Sequence, residues 1–240
     1  MMEFILTGQE ELAFLEGKGT LGRLMRLSCS LAGQTESALR KLTIAQWESH
    51  LLELRKNIVG RKVEGEFNCP NCDQKIEIDF DITELVENLQ NEAENSSFSE
   101  PELLLETLIQ IENENLTSQE SVQLLLSKLL GISKSKSAKM LKSGLSTEII
   151  ERLETLISGH NMELLAECFE CENEVKVLFD VTDFVEDELD QSARNILDQV
   201  HQIASQYNWS ETAIMALPRK RRLAYLTRIE ARTLQASHQA

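Results

Sequence analysis

The chain of 240 residues contains little of what makes long loops, with only three prolines and ten glycines. Aromatic residues are also scarce, at 5% of the sequence, so the 42% of residues that are apolar are mostly leucine, isoleucine and valine. Such a composition predicts a helix-rich globular protein whose core is built from aliphatic side chains.

Long apolar runs are absent as well, since none approaches the ~20 residues that a membrane-spanning helix needs. The first four residues, Met1-Met2-Glu3-Phe4, carry no basic charge, and Gln9, Glu10 and Glu11 interrupt the apolar segment that follows. We therefore expect neither a secretory signal nor a membrane span. A cytoplasmic location is expected, where thiols stay reduced.

Positive charge is in deficit. The chain has 24 lysines and arginines against 40 acidic residues, a net charge of -16. Because such a charge repels phosphate backbones, nucleic acid is not expected as a partner. The basic run from Arg219 to Arg222 is a local exception that could contact nucleic acid. The overall negative charge favours the alternative, in which this run caps the preceding helix or pairs with the excess acids.

Motifs of catalysis are missing too. The sequence has no glycine-rich phosphate loop, no H-E-x-x-H and no G-x-S-x-G. Its carboxylates lie along predicted helix faces, where acids are usually solvated. The four histidines are scattered singly, at His50, His160, His201 and His238. The prediction is a protein that is not an enzyme.

Five cysteines are present, and four of them form two C-x-x-C pairs, Cys69 with Cys72 and Cys168 with Cys171. In a reducing compartment such pairs indicate metal binding or redox chemistry rather than structural disulfides. The fifth cysteine, Cys29, lies in an apolar stretch and is predicted to pack in the core.

The two cysteine pairs belong to an internal repeat in which equivalent residues are 99 positions apart, without a gap. The matching pairs include Cys69 and Cys168, Cys72 and Cys171, Ile76 and Val175, Ile78 and Val177, Phe80 and Phe179, Asp81 and Asp180, and Thr83 and Thr182. After the first pair, Ile76, Ile78 and Phe80 alternate with Glu77 and Asp79, which predicts a half-buried strand, and the second copy has like residues at the apolar positions. Each copy is therefore predicted to be a zinc-ribbon-like hairpin, followed by a helix that starts near Asp81 or Asp180.

One knuckle supplies two ligands, whereas a structural zinc ion takes four. We therefore predict that Cys69, Cys72, Cys168 and Cys171 hold a single Zn²⁺, with the helical segment between them returning to close the site. Because a zinc ion closed by four cysteines has no open position for substrate, such a site would be structural.

Three alternatives stay open for these cysteines. They could form a thiol–disulfide centre, although a strand rather than a helix follows each pair. Each knuckle could instead share a metal with a second chain. The cysteines could also be buried without a metal, since free cysteine packs as a small apolar residue.

The predicted fold class is mainly α, with two small β-hairpins joined at one four-cysteine zinc site. Three segments, expected to pack as one compact unit, are distinguished along the chain: N-terminal helices with the first hairpin (1–87), a helical insertion (88–160), and the second hairpin with C-terminal helices (161–240). Apolar spacing and capping residues predict helices over 21–31, 43–58, 100–111, 118–131, 146–159 and 182–206, a short helix ending near Gly144, a loop over 88–100, and helices on both sides of Pro218.

The C-terminal third carries a recognisable set of residues. They are Cys168-Phe169-Glu170-Cys171, Phe179-Asp180-Val181-Thr182-Asp183-Phe184, Glu188-Leu189-Asp190, Val200-His201, Ala204, Tyr207-Asn208-Trp209-Ser210-Glu211, Ile214, Ala216-Leu217, Arg221-Arg222 and Tyr225-Leu226. This pattern resembles the T4-type baseplate hub assembly family of contractile phage tails and related injection systems. Asn208 stands where that pattern has glycine, and asparagine also adopts the left-handed conformation. The resemblance covers 168–229 well and 21–81 loosely.

The resemblance implies a non-enzymatic assembly factor or structural component of a contractile-tail baseplate hub. The implied partners are baseplate hub, spike or tail proteins, and the implied location is the cytoplasm of the producing bacterial cell or the assembled particle. The alternatives are a generic zinc-stabilised adaptor between proteins and, with less support from the residues, a C-x-x-C thiol–disulfide protein.

Overall fold

The computed structural model describes residues 5–95, 103–147, 149–151 and 162–237. This part is mainly helical with two small antiparallel sheets of two strands each, as the sequence predicts. The elements are α1 (Gly8–Leu15), α2 (Thr20–Ala32), α3 (Glu36–Leu39), α4 (Ile44–Ile58), β1 (Lys62–Asn68), β2 (Lys75–Asp81), α5 (Thr83–Asn95), α6 (Leu105–Glu114), α7 (Ser118–Leu129), α8 (Lys134–Ser143), β3 (Met162–Glu167), β4 (Glu174–Phe179), α9 (Val181–Arg194), α10 (Ile196–Tyr207), α11 (Glu211–Met215) and α12 (Arg219–Ser237). No helix within the described ranges is both long and apolar enough to cross a bilayer.

The chain divides into two compact units. The first unit comprises Met1–Glu36 and Val185–Ala240, and the second comprises Ser37–Phe184. Both hairpins belong to the second unit. The three segments distinguished in the sequence describe an order along the chain, and they stay a prediction.

Helix α4 of the second unit begins after Thr43, as predicted. The Thr43 hydroxyl accepts a hydrogen bond from the Gln46 N–H at 3.3 Å, and the Gln46 side chain accepts one from the Thr43 N–H at 3.0 Å. This reciprocal capping box satisfies N–H groups that a helix start leaves without partners. The buried residues of the helix include Trp47, Leu51, Leu52, Leu54 and Ile58. Their burial anchors the helix that leads into β1.

Replacing Thr43 with alanine should lower the free energy of unfolding by about 1 kcal/mol, because the helix start loses its side-chain acceptor. Thr43→Ser keeps a hydroxyl at the same place and should preserve the stability. Urea unfolding followed by circular dichroism measures both variants, and equal stability of the two would argue against the cap.

The segment after the first hairpin differs from its prediction. The polar run that begins at Asn88 was expected to be a loop, but α5 continues to Asn95, and residues 96–100 lie outside the described part. Val86 and Leu89 are buried on a face of α5 that contacts α4. Because this face is held by packing, the polar residues on the other side do not end the helix.

A second difference concerns Leu103 and Leu104, which were predicted to be helical. The Ile44 N–H donates to the Leu103 carbonyl at 3.2 Å, and the Leu105 N–H donates to the Leu42 carbonyl at 2.9 Å. This antiparallel pairing holds the two leucines extended, and α6 begins only at Leu105. The predicted helix start at residues 100–102 lies outside the described part of the chain.

The third difference is in the helix predicted over 182–206, which is interrupted at Asn195 to give α9 and α10. The Asn195 side chain donates a hydrogen bond to the Gln191 carbonyl at 3.2 Å. Such a bond competes with the backbone ladder, which explains the break. The predicted helix that begins after Ser146 is described only in part, since its expected end at Gly159 lies among residues 152–161, outside the described ranges.

One hydrophobic core cluster of the first unit lies among α10, α11 and α12. Its buried residues are Ile196, Val200, Ile203, Ile214, Met215 and Leu226. Tyr207, Trp209 and Tyr225 pack against this core, and their ring centroids lie 5.0 to 5.4 Å from one another. Asn208 ends α10 in the left-handed conformation, with φ 54°, so asparagine serves where the resembled pattern has glycine.

A buried ion pair ties α1 to α12. The Glu11 carboxylate accepts a hydrogen bond from the Arg222 guanidinium, and the two side chains are 2% and 0% exposed. Arg222 also donates to the Gln199 side chain at 2.7 Å and to the Leu217 carbonyl at 3.3 Å, while Ser192 donates to Glu11 at 2.9 Å. Arg222 of the basic run thus pairs with an acid, which confirms that part of the alternative for this residue.

Candidate metal centre

The two hairpins share one strand register. Val63 is opposite Phe80 in the first hairpin, and Met162 is opposite Phe179 in the second. Both residues of the second pair lie 99 positions after those of the first, so the sequence repeat is also a repeat of backbone pairing. Equivalent residues therefore occupy equivalent places in the two hairpins.

The turn of each hairpin follows the same hydrogen-bond pattern. In the first turn, the Cys69 N–H donates to the Gln74 carbonyl at 2.8 Å, and the Asp73 N–H donates to the Cys69 carbonyl at 2.9 Å. Asp73 has φ 60°, a left-handed conformation that aspartate adopts more readily than most residues. These bonds bend the chain back on itself and bring Cys72 to the side of Cys69.

The second turn repeats this geometry. The Cys168 N–H donates to the Asn173 carbonyl at 3.0 Å, and the Glu172 N–H donates to the Cys168 carbonyl at 2.7 Å. Glu172 has φ 56° at the position equivalent to Asp73. Both C-x-x-C segments are therefore built as matching knuckles by their own backbone.

The knuckles bring together the four cysteines that the sequence singled out. The sulfur atoms of Cys69, Cys72, Cys168 and Cys171 all lie within 4.8 Å of one another. The Sγ–Sγ distance is 3.7 Å between Cys69 and Cys171 and 3.6 Å between Cys72 and Cys168. Ligands at about 2.3 Å from a tetrahedral zinc ion would be about 3.8 Å apart. A disulfide requires about 2.05 Å, so the spacing suits metal coordination and not a bond between sulfurs.

The pairing of the sulfurs reveals a local two-fold relation. Exchanging the two hairpins turns the contact of Cys69 with Cys171 into the contact of Cys168 with Cys72, and both occur at nearly equal distances. Phe80 and Phe179, which are also equivalent, meet with ring centroids 5.9 Å apart. The hairpins thus use the same surface toward each other, as two copies do in a symmetric dimer.

Burial differs within each pair. Cys69 and Cys168 are 2% and 0% exposed, whereas Cys171 is half-buried and Cys72 exposed. The apolar surroundings include two pairs of equivalent residues, Ile76 with Val175 and Phe67 with Ala166, and Val177 of the second hairpin lies beside them. One side of the cluster is therefore closed by apolar side chains, and the other faces the surface.

The thiols have unequal acidity. The Asn71 side chain donates a hydrogen bond to the sulfur of Cys171, and together with the Asn173 N–H this lowers the pKa of Cys171 to about 6. The N–H of Gln74 lowers the pKa of Cys72, but partial desolvation by its neighbours and the contacts with the other three cysteines outweigh it and raise that pKa to about 12. Four thiolates repel one another at this spacing, and a bound divalent cation removes that cost and deprotonates the thiols.

Sequence analysis missed two residues that support the site. Asn71 lies between the two cysteines of the first C-x-x-C pair. Its side-chain amide is a hydrogen-bond donor next to predicted ligands, and this position could have indicated its bond to Cys171. Arg55 is 2% exposed and donates to the Gly60 carbonyl at 2.6 Å and to the carbonyl of Lys62, the first residue of β1, at 2.9 Å. Its guanidinium also lies 5.6 Å from the ring centre of Phe184. No pattern around Arg55 predicts this role.

Residues that the sequence set apart from the site stay apart from it. Cys29 is half-buried on α2 of the first unit, and burial raises the pKa of its thiol. His201 is exposed on α10. His50 stacks on Trp47 with ring centroids 5.8 Å apart, and burial lowers its pKa.

The fold and the site define a mainly helical protein with two matching knuckle hairpins, whose four cysteines form a cluster compatible with a bound metal ion. Compared with protein-family models, curated proteins and solved structures, the chain matches none of them.

Proposed function

We propose that this chain is a non-enzymatic protein stabilised by one structural zinc ion and that it acts in assembling the baseplate hub of a contractile tail. The observation that supports the metal is the close approach of four sulfurs from two separate hairpins. An all-sulfur, tetrahedral set of ligands selects zinc or iron among common metals, and zinc is the usual ion of structural sites.

Closure of the site supports a structural rather than a catalytic role. Each hairpin supplies two sulfurs and the set of four is complete, so a tetrahedral ion would have no free position for water or substrate. The ion would join segments that are 99 positions apart in sequence and would hold the two hairpins in their two-fold relation.

The tail role is supported by the residues of the C-terminal third that resemble the hub assembly family. In the structure these residues build local features: Asp180 accepts a hydrogen bond from the Asp183 N–H at 3.0 Å at the start of α9, and Ser210 caps α11. Tyr207, Trp209 and Tyr225 form one aromatic cluster. Several residues of the resembled pattern thus hold the local fold of this chain.

Metal analysis tests the first part of the proposal. Protein purified without added metal should contain about one zinc ion per chain by elemental analysis, and one chain should supply all four ligands, so a monomer in solution should hold the full ion. Iron in place of zinc would correct the metal, and half an ion per chain in a dimer would place the site between chains. Absence of metal together with reversible disulfides would favour the thiol–disulfide alternative.

Co-expression tests the second part. We expect tagged protein to co-purify with hub or spike proteins of a contractile tail when they are produced together, and not with sheath or tube proteins used as matched controls. A chain that holds zinc but retains none of the hub or spike proteins would leave the generic adaptor as the better interpretation.

A further inference from the structure

The three most exposed large apolar side chains among the described residues all lie on the second hairpin. Phe169, Leu178 and Leu165 are 71%, 69% and 65% exposed. Leu165 is on β3, Leu178 is on β4, and Phe169 is at the tip between the two cysteines. Single exposed apolar residues are common on protein surfaces, whereas several on one small element are typical of a surface that binds another molecule.

The two leucines share one face of the hairpin. Leu165 is opposite Lys176, and Leu178 is opposite Glu163, so the leucines are diagonal neighbours about 7–8 Å apart. Ala166 packs toward the cysteine cluster. Because side chains alternate along a strand, Leu165 faces away from that cluster, and the leucines play no part in closing the metal site.

The first hairpin serves as an internal control for what the fold requires. Its residues at the positions of Leu165, Phe169 and Leu178 are Glu66, Pro70 and Asp79. The two hairpins have the same register, the same knuckle and the same role around the cysteines. A polar face therefore suffices to build this hairpin, and stability of the hairpin does not explain the exposed leucines.

We infer that the outer face of the second hairpin is a docking surface for a protein partner that presents apolar side chains flanked by lysine or arginine. The flanks of the leucines are acidic, with exposed residues Glu163, Glu167, Glu170, Glu172 and Glu174. Lys176 is paired with Glu163 at 3.0 Å and also interacts with Glu174, so Glu167, Glu170 and Glu172 are left to attract a basic rim. Leucine and phenylalanine supply the apolar centre of such an interface.

The same charges disfavour other occupants. A second copy of this chain would bring an equally acidic hairpin to the face, in a molecule of net charge -16. An anionic membrane surface would be repelled in the same way. The inference rests on the proposed function only in taking the partner to be a protein, and it needs neither the zinc ion nor the contractile tail.

The test uses the full chain and two labelled synthetic peptides, each with a leucine–phenylalanine centre, one flanked by lysines and the other by glutamates. Leu165→Glu/Leu178→Asp gives the second hairpin the residues of the first and should keep the fold and the metal content. Leu197→Glu, at a site 57% exposed on α10, is the matched control. Fluorescence polarisation should show binding of the lysine peptide that the double variant weakens at least about tenfold and the control variant does not.

Equal binding of the lysine peptide by the wild type and the double variant, or tighter binding of the glutamate peptide, would overturn the inference. So would a wild-type dimer that the double variant converts to a monomer, or binding to phosphatidylcholine–phosphatidylglycerol vesicles that it abolishes. Phe169→Pro copies the Cys69-Pro70 knuckle and tests the surface independently, so unchanged binding by this variant also counts against it. Because the peptides are not tail proteins, this result and the co-purification result are independent of each other.

Discussion

Replacing Cys168 with serine should release the metal and loosen both hairpins, including the one that carries no mutation. The sulfur of Cys168 lies 3.6 Å from that of Cys72 in the other knuckle, so a shared ion would link the two. Binding of zinc contributes on the order of 10 kcal/mol to small structural zinc domains, and removing one of four ligands should forfeit much of it. The metal content per chain and the unfolding midpoint should both fall.

Hydrogen exchange can locate the effect. The amide of Asp73, bonded to the Cys69 carbonyl at 2.9 Å in the unmutated knuckle, should lose protection in Cys168→Ser. Cys69→Ser should act in the same way on the amide of Glu172. The double variant should be little worse than either single one, because both remove the same ion.

Cys29→Ser is the matched control, since Cys29 is the fifth cysteine and belongs to the first unit. It should retain the metal content of the wild type. If Cys168→Ser lost protection only in its own hairpin, or kept its full metal content, the shared site would be refuted.

Replacing Arg222 with methionine should destabilise the first unit by about 3–5 kcal/mol, because it leaves the buried carboxylate of Glu11 without its main counter-charge. Arg219 remains 3.5 Å from Glu11, but it is partly exposed and cannot replace the buried guanidinium. Arg221→Met, at an exposed position of the same helix, is the control and should change the stability little. Urea unfolding monitored by tryptophan fluorescence measures all three proteins.

The loss in Arg222→Met should depend on pH. Burial already raises the pKa of Glu11 above its ordinary value of 4.5, and removal of the arginine raises that pKa further. Protonated Glu11 carries no charge, so its burial without an arginine then costs little free energy. The stability of the variant should therefore be closest to that of the wild type below about pH 4.5. It should fall as the pH rises through the raised pKa of Glu11, because the folded protein must then bury an unpaired carboxylate. A difference from the wild type that is constant between about pH 5 and pH 8 would contradict this explanation.

A second variant separates charge from packing. Glu11→Leu combined with Arg222→Met removes both charges and keeps similar volume, so it should recover most of the stability lost by Arg222→Met alone. No recovery would mean that the hydrogen bonds of Arg222 to Gln199 and to the Leu217 carbonyl matter more than its charge pair.

The hairpins and their cysteines could be predicted because their signals are local and occur twice. Alternation around Ile76 and Val175 predicts strands without knowledge of neighbours, and a constant offset of 99 positions predicts that the two copies are alike. Four cysteines in two such knuckles then predict one shared cluster, and the sulfurs do lie within 4.8 Å of one another. The identity of the metal, the partners and the tail role stay predictions.

The helix boundaries were predicted less well, for reasons visible in particular residues. Leu103 and Leu104 have helical spacing, but their backbone pairs with a segment some 60 positions earlier in the chain. The polar sequence after Asn88 indicates a loop, whereas packing of Leu89 continues the helix. A local pattern has no information about these distant contacts, so such boundaries could not be read from it.

The sequence by itself determined the elements whose geometry depends on neighbours along the chain: the two knuckles, the strands beside them and the cap at Thr43. Apart from the four cysteines, only the tertiary structure decided which groups from distant segments meet. Glu11 and Arg222 form a buried pair although 211 positions separate them. Leu165 and Leu178 are exposed, whereas Ile76 and Val175, which are also apolar strand residues of the hairpins, are buried. The physical reason is that burial and charge pairing depend on the packing of the whole chain, whereas turns and caps depend on a few consecutive backbone groups.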